Sequence, residues 1–409
     1  MAKLVSAIKQ QQTDSALSRR ERLSLAGVLS LTFLTFLPTF TFGWVYDDPP
    51  QIPQNQYLQW NQLTYLFTHH LWASTAGAEA RFYRPLLSLW FLINKSLFGL
   101  NPHWFHVTTV LAHVTATGMA FLIARKVLRD TGPALFAAAI FGLHPLQVEA
   151  ASWISSVNDP LAAVLCFSSF LAYRKARAIG RTSRAGIWWI LSAISFFLAL
   201  LTKEVSVALP VIVLVDLWTS TDGPAAVKLT SRKVLMAYGL TAALWLSLRT
   251  LVLGQSATIG LLAAGTRTIL SGPKLILFDF YRVIFPIGLS PHYDFHPVES
   301  GGMQFLLALG GMAVLAWLAV AAARRNPQLW VAYAWLIFPL LPTTNLGWMN
   351  QDDFVHDRYM YMSMLGVALL AGSAYAALRR KWPDAGLIPL LAGVLIVGMG
   401  FASAIQSQY

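Results

Sequence analysis

Apolar runs recur along almost the whole chain, and the polar stretches between them are short. A helix needs about 20 apolar residues to cross about 30 Å of hydrocarbon. Runs of that order lie at residues 23–44, 103–124, 133–149, 159–174, 185–202, 204–219, 233–252, 303–323, 328–344, 359–378 and 385–404. They predict an all-α polytopic membrane protein with about eleven crossings. No small-residue cleavage site follows the first run. It therefore reads as a retained signal anchor behind a polar, basic cytoplasmic tail at residues 1–22.

Three further apolar segments are unsuited to crossing. Residues 57–72 are amphipathic, with Trp60, Leu63, Phe67 and Leu71 at helical spacing. Residues 85–98 place Leu86, Trp90, Ile93 and Leu97 on one face. Residues 274–285 lie between Pro273 and Pro286 and carry Lys274, Asp279 and Arg282. At 1.5 Å per residue the last two segments reach only about 18–21 Å. All three read as interfacial or re-entrant helices on the outer face. They define an external loop with juxtamembrane helices at 45–102 and an external segment at 253–302, inside a single transmembrane domain of residues 23–409.

Composition sets the class. Of 409 residues, 56% are hydrophobic and 12% charged, against roughly 25% charged in a soluble domain. With a mean hydropathy of +0.55, this excludes a disordered chain, a disulfide scaffold and an ordinary cytosolic enzyme. A net charge of +12 would suggest nucleic acid in a soluble chain. Here it follows the basic loops, and no nucleic-acid partner is expected. Arg125, Lys126 and Arg129, then Arg174, Lys175 and Arg177, then Arg324 and Arg325, then Arg379, Arg380 and Lys381 all fall on the side of the N-terminus. That side is cytoplasmic. The lone Cys166 sits in an apolar run and reads as core packing.

The opposite side holds the candidate chemistry. Every histidine but His113 lies on or near it, and charged groups near membrane depth usually face a cavity. Tyr46-Asp47-Asp48-Pro49 follows the first span. Its paired carboxylates suit a general base, or form a solvated acidic turn. Arg81 and Arg84 begin the second interfacial helix. They suit bidentate contact with a phosphate, or snorkel to lipid headgroups. His144 and Glu149 are five residues apart, not the four that put two ligands on one helix face, so a metal site is weakly supported. His144 also reads as a polar helix-end residue, and Asp159, beside Pro160, as a helix cap. Lys203-Glu204 occupies a short outer hairpin, either facing headgroups or pairing in a cleft. Asp352, Asp353, His356 and Asp357 form an acidic loop before Arg358, Tyr359 and Tyr361, with the tyrosines also suited to an interfacial belt.

In this order and on one side, these pieces resemble the GT-C fold of membrane glycosyltransferases that use polyprenyl-phosphate-linked sugars. Within it they are most similar to the transmembrane, tetratricopeptide-repeat-bearing O-mannosyltransferases and their bacterial relatives. The matching stretches are Tyr46-Asp47-Asp48, Arg84-Pro85-Leu86-Leu87, His144-Pro145 with Glu149-Ala150 and Trp153-Ile154-Ser155, Lys203-Glu204, and Arg358-Tyr359-Met360-Tyr361. The resemblance implies Asp47 as the base, with Asp48 as its fallback. It implies Arg84, Lys203, Arg358 and Arg282 as donor-phosphate cations. His144, Glu149, Asp159, Glu204, Tyr359 and Tyr361 would complete the site. Two departures stand out. Relatives often carry a Gly-Arg-Ala-Asp type run where this chain has Ser156-Val157-Asn158-Asp159, so that cation is missing. No tetratricopeptide repeat occurs up to Tyr409.

The implied reaction moves a sugar, a mannose-like hexose in the first instance, from a polyprenyl-phosphate donor to a protein or glycan hydroxyl by one inverting displacement. Pre-placed cations stabilise the leaving phosphate, so no metal or other cofactor is required, although a divalent cation is compatible with the outer acids and histidines. The expected setting is a bacterial inner membrane with the site facing the periplasm, or the endoplasmic reticulum membrane in a eukaryote. A transporter or flippase of lipid-linked sugars is the main rival. It calls for ionisable groups at the midplane or for two related halves. Only His113 lies near a midplane, and it reads as a helix–helix hydrogen bond. A non-catalytic GT-C-like subunit is the other rival, and it has no reason to keep both Asp47 and Arg358.

Overall fold

A computed structural model describes residues 16–75, 81–180, 183–220, 224–254, 265–346 and 354–408. Asp352 and Asp353 of the acidic loop lie outside the described residues. Among the described residues all regular structure is helical.

The first helix, α1 (Arg19–Thr35), starts at a capping box in which Ser18 and Glu21 each bond the other's backbone N–H. A 3-10 turn, Leu37–Thr41, follows it. Short helices α2 (Asp48–Gln51) and α3 (Leu63–Thr68) lead to α4 (Pro85–Phe98) and α5 (Pro102–Leu128). Arg129 leaves α5 in the left-handed region (φ 56°), and Asp130 then caps α6 (Thr131–Leu143) through the Gly132 N–H. At Pro145 the chain bends by 53° into α7 (Val148–Ser152). Then come α8 (Asn158–Ile179), α9 (Ser183–Thr202), α10 (Leu209–Trp218), α11 (Pro224–Leu253), α12 (Gly265–Ile284), α13 (Met303–Arg325), α14 (Leu329–Ile337), α15 (Leu340–Thr343), α16 (Met364–Lys381) and α17 (Leu387–Gln406).

Among the described residues six helices are long and apolar enough to cross a bilayer: α5, Ile154–Ile179, Arg184–Thr202, Thr230–Leu253, α13 and α17. The bent pair of α6 with Pro145–Ser152 brings this to seven. The other runs expected to cross are shorter or broken, so the count of about eleven rests on the sequence pattern alone. The chain is a multi-pass membrane protein of all-α fold. One core joins α5, α6, α8, α9, α10, α14 and α16. Gly366 lets α16 meet α14, because a Cβ there would lie 2.3 Å from the Leu336 nitrogen. The hydrocarbon-facing helices are the opposite case: only 6% of the apolar window of α13 is buried, against 72% for Ile154–Ile179.

Local expectations fare unevenly. His113 does bridge helices, donating from Nε2 to the Gly142 carbonyl (3.0 Å) and accepting at Nδ1 from the Tyr361 hydroxyl (2.7 Å). Residues 57–72 are not one helix. They form a 3-10 turn and α3, in which Leu66 is buried while Trp60 and Leu63 are exposed. Helix α4 forms as expected but buries Leu87, Phe91 and Leu92, leaving Ile93 and Leu97 of the anticipated face exposed. Leucine and isoleucine fill both faces of α4, so its periodicity is ambiguous. Helix α12 starts at Gly265 and runs through Pro273 instead of starting after it.

Candidate active site

The acidic motif splits in two. Tyr46 is held at φ 48°, a strained setting for a non-glycine residue, and its ring packs edge-on against Trp153. Beyond this twist the adjacent carboxylates take different surroundings. Asp48 is fully buried. It accepts from the Ser155 hydroxyl (2.5 Å), the Ser155 N–H (2.9 Å) and the Val45 N–H (3.0 Å). Burial pushes its pKa up to about 6, with these bonds opposing. Asp47 is half-buried and lines a cavity of about 120 Å³. Asp48 therefore ties the loop after α1 to the segment before α8, and Asp47 is the one of the two that lines the cavity.

Three cations line the same cavity, each from a different segment and each already paired. Arg84 donates from Nε and Nη2 to one oxygen of Glu204, at 2.9 and 2.8 Å, and stacks on Phe82. Lys203 Nζ donates to both oxygens of Asp159. Arg358 donates through its guanidinium (2.7 Å) and its backbone N–H (2.9 Å) to Glu149. It lies 4.5 Å above the Trp153 ring. Burial disfavours the Arg358 charge, but Glu149, Tyr359, Asp159 and Asp47 together more than offset it, so its pKa is raised. The Pro145 bend makes the Glu149 contact: it turns α7 so that Glu149 meets the loop that carries Arg358. Lys203, from the next hairpin, places its ammonium against Asp159 at the end of the 156–159 run.

Other expected site residues go elsewhere. His144 is buried, accepting at Nδ1 from the Leu146 N–H and bonding the Val283 carbonyl through Nε2. It is a cap that staples the end of α6 to α12. Tyr361 is a fully buried core residue held by His113. Arg282 is buried between Phe278 and Tyr293 and pairs with Asp279 and Asp357, outside the cavity lining. Tyr359 does line the cavity. So do Gln51 and Trp72, which sequence reasoning had not named, and Trp153, Ser156 and Asn158, which it had named only within motifs and given no role. A second cavity of about 510 Å³ adjoins at Trp153 and is lined by Tyr46, His106, Glu149 and Asp357 among others. Among the described residues no three His, Cys, Asp or Glu side chains cluster as metal ligands.

Comparison with known proteins locates this arrangement. The archaeal oligosaccharyltransferase of Archaeoglobus fulgidus, tethered with an acceptor peptide, superposes with a TM-score of 0.57 at 13% identity. The match covers 94% of this chain and 55% of that one. The chain has the GT-C fold. A second structure of the archaeal protein, with an inhibitory peptide and a dolichol-phosphate, gives 0.52 at 14% identity over 96% of this GT-C chain and 56% of that one. In sequence the GT-C chain is similar to Protein O-mannosyl-transferase Tmtc1 of Drosophila melanogaster, 30% identical over 47% of this chain and 22% of the relative. It is similar to Protein O-mannosyl-transferase TMTC2 of Homo sapiens, 30% identical over 43% and 21%. The chain thus spans about a fifth of the length of these curated relatives. No protein-family model matches it.

Proposed function

We propose that the chain is a membrane glycosyltransferase that takes a hexose, mannose in the first instance, from a polyprenyl-phosphate donor. The observation that carries this reading is the cavity that gathers Asp47, Arg84, Lys203 and Arg358 from four separate segments. The relatives named O-mannosyl-transferases and the fold shared with the archaeal oligosaccharyltransferase support it.

Each cation is fixed by a carboxylate and keeps N–H donors in reserve. Two protons of Lys203 go to Asp159, and the guanidinium forks of Arg84 and Arg358 are only partly used. These donors hold the phosphate of the donor. The acceptor hydroxyl enters from the wider cavity beyond Trp153. As its oxygen attacks C1 from the face opposite the phosphate, Asp47 takes its proton and the C1–O bond to the lipid phosphate breaks. The departing phosphate keeps the electron pair, and the pre-placed cations stabilise that charge. One displacement inverts the anomeric centre. The acceptor is a protein or glycan hydroxyl, and the site faces away from the cytoplasm: the periplasm in a bacterium, the lumen of the endoplasmic reticulum in a eukaryote.

The test is transfer by purified, reconstituted protein from a polyprenyl-phosphate mannose to a panel of peptide and glycan acceptors. Transfer that is lost in Asp47→Asn is the expected result. If no polyprenyl-phosphate hexose is transferred or hydrolysed, the reading fails.

A further inference from the structure

We infer that Gln51, Ser156 and Asn158 form a hydroxyl-reading subsite for the donor's neutral sugar; this rests on the glycosyltransferase reading above. All three line the same cavity as the cations and are more than nine-tenths buried. Gln51 Oε1, Ser156 Oγ and Asn158 Oδ1 have no hydrogen-bond partner among the described residues, and neither has Glu204 Oε1. Buried oxygens without a partner are costly and uncommon. Here all four belong to residues that line one cavity.

The chemistry of those groups selects their ligand. Asn158 Nδ2 points to the Ser155 carbonyl, which leaves Oδ1 as a buried acceptor without a donor. Glu204 spends its other oxygen on Arg84. The unmet groups are thus mainly neutral acceptors that need O–H or N–H donors. A phosphate oxygen has no proton to give them. A bound cation, or the ammonium of an amino sugar, would be repelled by Arg84, Lys203 and Arg358 in the same cavity. Sugar hydroxyls fit. A glycosyl phosphate offers both halves of what the cavity asks for, phosphate oxygens to the N–H donors and hydroxyl protons to the unmet oxygens.

The test measures binding to the full chain in lipid nanodiscs. One probe is a short-chain polyprenyl mannosyl phosphate. The other is the same lipid as its methyl phosphate, an identical diester charge without the sugar. The wild type should bind the mannosyl diester more tightly. Asn158→Leu and Gln51→Leu should each weaken mannosyl binding by roughly three- to tenfold, the scale of one neutral hydrogen bond, and leave methyl-diester binding unchanged. Ser156→Ala removes a single atom and serves if a larger change does not fold. Equal loss for both probes would assign these residues to the phosphate or to packing and overturn the subsite. So would a wild type that does not discriminate between the probes. A wild type that binds neither probe would instead remove the glycosyltransferase reading itself.

Discussion

Lys203 Nζ lies 2.6 and 2.5 Å from the two carboxylate oxygens of Asp159, and both side chains are almost fully buried. Asp159 opens α8 and Lys203 follows α9, so the pair ties together the outer ends of two packed helices. Removing one partner of a buried pair strands the other charge, at a cost of about 3–5 kcal/mol. Lys203→Met should therefore lower the thermal unfolding temperature in detergent sharply. Lys203→Met with Asp159→Leu should restore most of the loss. A double variant no more stable than the single one would mean that the two charges are not coupled.

The same lysine predicts a pH effect. Burial lowers the Lys203 pKa from 10.5 to about 8, with Asp159 only partly opposing. If Lys203 holds the donor phosphate as a cation, donor affinity should fall as pH rises through about 8. Stability should move the other way. From about pH 8 to 10.5 the unfolded chain retains a proton that the folded chain has lost. The penalty of burying the charge, present in full below the folded pKa, is relieved as pH climbs. Lys203→Arg should abolish the alkaline fall in affinity, because guanidinium stays charged. A donor affinity that is flat between about pH 7 and 10 would take the Lys203 charge out of the phosphate site.

Arg358 should depend on Glu149 for its placement. Glu149 accepts from both the backbone and the guanidinium of Arg358, and its Oε1 lies 3.2 Å from His356 Nδ1. Arg358→Ala should weaken donor binding much more than Arg358→Lys, which keeps the charge and loses the fork. Glu149→Gln should fall between them, since it disturbs the setting without removing the cation. Equal donor affinity in all of these proteins would exclude Arg358 from phosphate binding.

The fold was legible because apolar runs and basic loops are strong signals over a long chain. The grouping of the charged candidate residues was legible from the same signals. Asp47, Arg84, Lys203, Glu204 and Arg358, read as outer-face residues, do meet at one cavity. Asp216 on α10 pairs with Arg174 and Arg177, two of the basic residues read as cytoplasmic. What failed was finer. His144 and Arg282 carry reactive side chains, but their partners are a carbonyl on α12 and two nearby acids, contacts set by packing that no local pattern encodes. Gln51 was passed over, and Ser156 and Asn158 were named without a role, because neutral polar residues give no charge signal. Their significance lies in having no partner, a property of the folded chain alone. The helix of residues 57–72 failed because its spacing mimicked an amphipathic face that the loop does not use.

The last prediction separates the two acids. Asp47→Asn keeps the shape of the side chain and removes its basicity. Turnover should fall by about 10²–10⁴, the range for losing a general base. Donor binding should hold or rise slightly, because a negative charge beside an anionic ligand is gone. Thermal stability should stay near that of the wild type, since Asp47 is only half-buried. Asp48→Asn behaves differently. Its carboxylate accepts three hydrogen bonds in full burial, two of them from backbone N–H groups. An amide there must point its NH₂ at a donor or leave one unmet, so Asp48→Asn should lower the unfolding temperature, and with it activity, through the loop that carries Asp47. Measuring turnover, donor affinity and thermal unfolding on both variants tells chemistry from scaffolding. If Asp48→Asn stops turnover while stability and donor affinity are intact, the base is Asp48 and the roles are reversed. If Asp47→Asn leaves turnover unchanged, the cavity has lost its base.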